Sequence, residues 1–125
     1  MAEIDVGRTV DSVPPALMAL FRPGVQPYLI SWFRHDPAKE VAKLQVPVLV
    51  VQGSTDIQVS EQDAKLLAAA DPRAKLVIVD GMNHVLKLVP SDMNQQLKSY
   101  SDPSLPVAPQ LVSTVVSFVK GVHRR

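Results

Sequence analysis

Cysteine is absent from the 125 residues, which excludes a disulfide framework, a thiolate nucleophile and any metal site built on sulfur. An excess of either charge is also missing. The chain carries 13 Lys and Arg against 12 Asp and Glu, and a net charge of +1 gives no long-range attraction to nucleic acid. The terminal Arg124-Arg125 pair reads as a short solvated tail. No apolar run approaches the roughly 20 residues that span a bilayer. The opening MAEIDVGRTV has early acids and no apolar core, unlike a secretory signal. A soluble, cytoplasmic chain with no membrane and no nucleic-acid partner is expected. His35, His84 and His123 lack metal-ligand spacing, and Gly53-Ser54-Thr55 is not part of a G-x-x-x-x-G-K phosphate loop. Neither a metal nor a cofactor is anticipated.

What is present is a globular balance of 46% hydrophobic and 20% charged residues, with enough length to bury one core. Residues 1–13 read as an irregular lead-in. Pro14-Pro15 suits a helix start, Ala16–Phe21 follows, and Pro23-Gly24 ends it. A second short helix is expected over Gln26–Arg34, with Pro27 in its first turn. On the plainer reading its apolar residues pack against a core or partner. On the sharper one, Tyr28, Trp32 and Phe33, with Met82 from further along, line a substrate pocket for an acyl or aromatic group. Residues 1–35 are thus read as a cap-like or pocket-lining segment.

Residues 36–125 carry a different pattern. Asp36-Pro37 marks a helix start, with Asp36 as N-cap, and the helix is predicted to reach Leu44 with Val41 and Leu44 inward. Val46–Gln52 is an unbroken apolar run around Val48-Leu49-Val50-Val51, the signature of a strand buried on both faces. Ser60 and Asp63 have capping-box spacing, opening a helix with Ala64, Leu67 and Ala68 on one face that ends near Asp71-Pro72. A second strand follows at 75–80. The fold class read from this is α/β: two parallel strands, about 46–52 and 75–80, in a βαβ unit flanked by helices. Ser91–Pro109 is polar and proline-rich, a long surface connection with a helical turn at Asn94–Tyr100. Gln110–Val122 closes the chain as an amphipathic helix whose Leu111, Val115, Phe118 and Val119 should pack on the sheet.

The chemistry lies just past the two strands. The first opens into Gly53-Ser54-Thr55-Asp56 and the second into Gly81-Met82-Asn83-His84, at the carboxyl ends where ligand and catalytic groups collect in parallel sheets. An aspartate there accepts a bond from an imidazole Nδ1–H, fixes the tautomer and stabilises the imidazolium, leaving the histidine as general base toward a hydroxyl nucleophile. Asp80 and Lys87 read as a turn residue and a solvated cation. The rival account gives Asp56 a turn-capping role and makes His84 a polar loop residue.

Pro47–Asp56 (PVLVVQGSTD), Val59 through Leu67, and Gly81-Met82-Asn83-His84 together resemble the C-terminal part of the α/β-hydrolase fold. The likeness is to serine-aminopeptidase-like and esterase-like hydrolases, in which a strand leads to G-x-x-D, then V, then a later G-x-x-H. It covers roughly Asp36 to Val122. The resemblance implies that Asp56 is the triad acid, His84 the triad base, and an ester or amide the substrate, hydrolysed through an acyl-enzyme. The departure is as informative: no G-x-S-x-G elbow occurs, and Ser31, Ser54 and Ser60 lack an elbow's setting. The expectation is therefore a partial α/β-hydrolase fold that carries acid and base without a nucleophile and is inactive alone. Its valine-rich open strand edge should make it self-associate as a homo-oligomer or complete a nucleophile-bearing partner chain. A non-enzymatic binding or structural module is the alternative.

Overall fold

The computed structural model describes residues 6–122. The start of the lead-in, His123 and the Arg124-Arg125 tail lie outside them. The chain divides into two compact units, Met1–Glu40 and Val41–Arg125.

In the first unit prolines set the boundaries. A 3-10 turn at Pro15–Leu17 runs into α1 (Met18–Phe21), and a second at Pro23–Val25 runs into α2 (Gln26–Phe33). Each turn opens on a proline, where the missing N–H costs no intrahelical bond. Gln26 is fully buried and does what a strand neighbour would do for the lead-in. Its Nε2 donates to the Val10 and Phe21 carbonyls at 2.8 and 2.9 Å, and its Oε1 accepts the Val10 N–H at 2.7 Å. Gln26 and Ile30, four residues apart, form the inner face of α2. Tyr28 and Trp32 lie on the exposed side, their ring centroids 4.6 Å apart.

Asp36 caps α3 (Pro37–Ala42) through Oδ1, which accepts the Ala38 and Lys39 N–H groups at 3.0 and 3.3 Å. This helix stops short of Leu44. The Leu44 N–H closes on the Val41 carbonyl at 3.0 Å in a tightened turn, and the Leu44 carbonyl goes to the Arg73 guanidinium at 2.9 Å. Leu44 is consequently exposed and Val41 half-buried, against the expectation that both face inward.

The second unit holds β1 (Leu49–Gly53), α4 (Glu61–Ala70) and β2 (Lys75–Val79). The strands pair in parallel, in register from Leu49 opposite Lys75 to Gly53 opposite Val79. The coarse α/β reading therefore holds, with two parallel strands in one open sheet. Val46 and Pro47 stay outside β1; the Lys75 N–H donates to the Val48 carbonyl just before it. Ser60 and Asp63 complete the capping box of α4. At its far end Asp71, 4% exposed, accepts from the Arg73 backbone and guanidinium and turns the chain into β2.

Burial is lighter than the apolar runs predict. The core is Val79, Met82 and Ala108, with Val51, Val77 and Leu111 partly buried against it. Leu49 to Val51 and Leu76 to Ile78 are only half-buried; α4 packs on both strands, and the closing helix α6 packs on β1. α5 (Met93–Ser99), capped by Asp92, precedes α6 (Pro109–Val122). No α6 residue is fully buried, and Val112, Val115, Val116 and Val119 are 41–52% exposed. The expected seating of this helix on the sheet is met mainly at Leu111. Among the described residues, no helix is long and apolar enough to cross a membrane.

The segment after β2 is stitched down more than a surface connection need be. The Val89 N–H reaches the Gly81 carbonyl, and that of Ala108 reaches Leu86, both at 2.8 Å. Isolated bridges pair Met82 with Leu88 and Lys87 with Val107. β1 runs so close to this segment that a Cβ on Gly53 would stand 1.9 Å from the Met82 carbonyl oxygen. Gly81 is different: its φ is +70° with open space around it. Gly53→Ala should therefore cost about 3 kcal/mol or more by forcing two backbones apart. Gly81→Ala should cost only the left-handed penalty of about 1–2 kcal/mol. Urea unfolding of both variants checks this, and equal losses would contradict the steric account.

Candidate active site

β1 and β2 end side by side, and the loops that leave them are bonded to each other before any functional group is placed. The Ser54 N–H donates to the Val79 carbonyl and the Thr55 N–H to the Met82 carbonyl, each at 3.1 Å. The Ser54 hydroxyl donates to Asp80 and accepts from the Gly81 N–H, both at 2.9 Å. The Thr55 hydroxyl reaches the Val89 carbonyl at 2.8 Å. Asp56 and His84 are carried on these two locked loops.

The two residues meet. Asp56 Oδ2 and His84 Nδ1 are 3.0 Å apart. The Asp56 side chain is 8% exposed and that of His84 38%. Asp56 Oδ1 accepts the Gln58 and Val59 N–H groups at 2.8 and 3.0 Å, while Oδ2 also receives the Gln52 amide at 3.2 Å. Burial works to raise the Asp56 pKa. The Val59 and Gln58 N–H groups, His84 and Gln52 outweigh it, and the carboxyl is held below its ordinary value. An ionised carboxylate is an acceptor only, so the imidazole donates through Nδ1. Nε2, on the half-open side of the pair, is then the nitrogen left to take a proton.

None of the three candidate serines offers its hydroxyl to the His84 ring. Ser54 gives its hydroxyl proton to Asp80, Ser31 bonds back to the Tyr28 carbonyl within α2, and Ser60 is consumed in the capping box. Among the described residues, no cluster of three or more His, Asp or Glu side chains converges as a metal site would require. No family model matches this chain, and neither a curated protein nor a solved structure does.

Of the four candidate pocket residues, Tyr28, Trp32 and Phe33 belong to the first unit and Met82 to the second. Met82 is 1% exposed and belongs to the core cluster, so it supports the His84 loop from beneath and does not line an open pocket. Phe33 borders a cleft of about 330 Å³ in the first unit with Val6, Gly7, Ile30 and Arg34; Tyr28 and Trp32 are not part of it. In the second unit one cleft of about 370 Å³ lies between Pro47, Lys75 and Phe118, where the strands begin. Another, of about 220 Å³, is lined by Leu88, Pro90 and Leu105. Neither includes Asp56 or His84.

Several residues that hold the pair were not singled out by sequence. Gln52 had a signal, the one polar side chain closing an apolar run. Asn83, 1% exposed, makes the turn that carries His84: its Oδ1 accepts the Lys87 N–H at 3.0 Å, and its Nδ2 donates to Ser99 Oγ at 2.7 Å. Lys87, expected in solvent, is half-buried, with its ammonium on the Ser99 carbonyl at 2.8 Å and on the Asp102 carbonyl. Asp80 is a turn residue as expected, bound by Ser54.

The lowered Asp56 pKa fixes a sign. Its stabilising effect is fully present above the unfolded-state value near 3.8 and is lost as pH falls through the lower folded value. Asp63, Asp71 and Asp102 are lowered as well, chiefly by side-chain hydrogen bonds from Ser60, Arg73 and Ser104. The urea midpoint should hold from about pH 7 to about pH 5 and fall on further acidification, and Asp56→Asn should flatten part of that fall. A midpoint unchanged at low pH would remove the carboxylate account.

Proposed function

We propose that this chain supplies the acid and the general base of a serine-hydrolase triad of the α/β-hydrolase type, with nucleophile and oxyanion hole coming from another segment or chain. The observation that carries the reading is the 3.0 Å bond between Asp56 Oδ2 and His84 Nδ1 at the carboxyl ends of two paired parallel strands. In the completed site His84 Nε2 takes the proton of the attacking hydroxyl as it adds to an ester or amide carbonyl. Asp56 keeps the ring in the required tautomer and stabilises the imidazolium. The same proton then goes to the leaving group. Water repeats the cycle on the acyl-enzyme.

Alone, the chain should show neither labelling by a serine-directed fluorophosphonate nor turnover of a nitrophenyl ester. Joined behind the elbow-bearing part of a well-behaved α/β-hydrolase, it should restore ester hydrolysis. Asp56→Asn should then lower kcat by about 10⁴-fold, and His84→Ala should abolish the restored activity. Strong labelling of the isolated chain, or an active fusion indifferent to His84→Ala, would overturn the proposal.

The unfinished core supports the need for a completing partner. A two-stranded parallel sheet with half-buried strands and a closing helix with four valines 41–52% exposed leave apolar surface and an open strand edge for another chain. In isolation a second copy is the available occupant. Sedimentation at tens of micromolar should show reversible dimers or larger species, and a stable monomer across that range would count against it.

A further inference from the structure

The acid of the pair is held by more than its partner. Gln52, 8% exposed, is the penultimate residue of β1, so its side chain is placed by the strand and not by the loop that bears Asp56. Its Nε2 lies 2.9 Å from the Val59 carbonyl, 3.2 Å from the Gly53 carbonyl and 3.2 Å from Asp56 Oδ2. Two amide hydrogens face three oxygens. At least one hydrogen is therefore shared between two of these oxygens.

The division of labour on Asp56 gives this contact its meaning. Oδ1 is occupied by the Gln58 and Val59 N–H groups. Oδ2 has two donors, the imidazole at 3.0 Å and the Gln52 amide at 3.2 Å. Other charged groups nearby are committed elsewhere: Asp80 to the Ser54 hydroxyl, Lys87 to the Ser99 and Asp102 carbonyls. Tyr100 reaches the loop only through the Gln58 amide. Two donors on one oxygen compete for its charge, so the strength of one bond depends on the presence of the other.

We infer that Gln52 is a positioning residue for the pair: its amide orients the carboxylate oxygen that receives His84 and tempers how strongly that oxygen holds the imidazole. This rests on reading Asp56 and His84 as an acid–base pair. By spanning Gly53 and Val59 the same amide closes the loop across its base, so the aim of the acid is set from the sheet. Partners of this kind orient the groups that do chemistry without touching substrate themselves.

Nuclear magnetic resonance of the full chain tests it without any nucleophile. The His84 Nδ1–H resonance should lie far downfield and be lost in Asp56→Asn. In Gln52→Met, similar in shape but without donors, it should move further downfield as His84 becomes the sole side-chain donor to Oδ2. The Asp56 carboxyl should titrate at higher pH in that variant. A folded Gln52→Met chain with both signals unmoved would overturn the inference. If Gln52→Met does not fold, the wild-type chain decides: the Gln52 side-chain amide protons should shift with the same midpoint as the Asp56 carboxyl carbon, and an amide blind to that titration rejects the role. A His84 ring insensitive to Asp56→Asn would remove the pair and both readings with it. A sensitive ring with an indifferent Gln52 would remove only this one.

Discussion

The structure of the second unit depends on how closely two backbones approach where β1 meets the loop after β2. Gly53 has no room for a Cβ against the Met82 carbonyl, and that lack of room is what lets Thr55 bond to Met82 and Ser54 to Val79. With the first loop bonded to the second through both Ser54 and Thr55, Asp56 and His84 have little freedom to miss each other. Preorganisation of this sort is where an acid–base pair gains its usefulness, because the groups need not be gathered at the moment of reaction. Met82 carries both halves of the device: its carbonyl meets the glycine and accepts from Thr55, while its side chain fills the core.

Much of this was legible from residue types alone. The proline-led turns, the Asp36 cap, the Ser60–Asp63 box and the strand–helix–strand order follow from local rules, and each is in place. Asp56 and His84 were found because a small-residue turn after an apolar run marks a strand end, and the register then brings residues 28 positions apart within one hydrogen bond. Lys87 was misjudged because its environment is made by Ser99 and Asp102, which the linear order separates from it. Thr55 bonding to Val89 is likewise a product of the fold, with no periodic trace. Met82, expected with Tyr28, Trp32 and Phe33 as a pocket residue, is instead buried in the core cluster.

Burial was the larger discrepancy. Runs of Val, Leu and Ile predict strands covered on both faces, but coverage depends on how many layers a chain supplies. Here α4 and α6 are the helices on the sheet, and the strands stay half-exposed. The valines of α6 are spaced as a buried helix face would be, and they are not buried. Sequence thus reports what a segment is suited to contact; whether the contact exists depends on a neighbour the segment cannot encode.

The Asn83–Ser99 bond has a dynamic corollary. Asn83 sits beside His84, and Ser99 ends α5 with its own hydroxyl turned to the Gln96 carbonyl. Gln96 in turn donates to the Pro90 carbonyl, and the Lys87 ammonium closes the circuit on Ser99. The histidine turn and α5 therefore share one ring of polar bonds, buried at Asn83, Gln96 and Ser99 and half-buried at Lys87. Such a ring opens as a unit or stays shut. The turn that carries His84 and the helix that ends at Ser99 are therefore expected to move together.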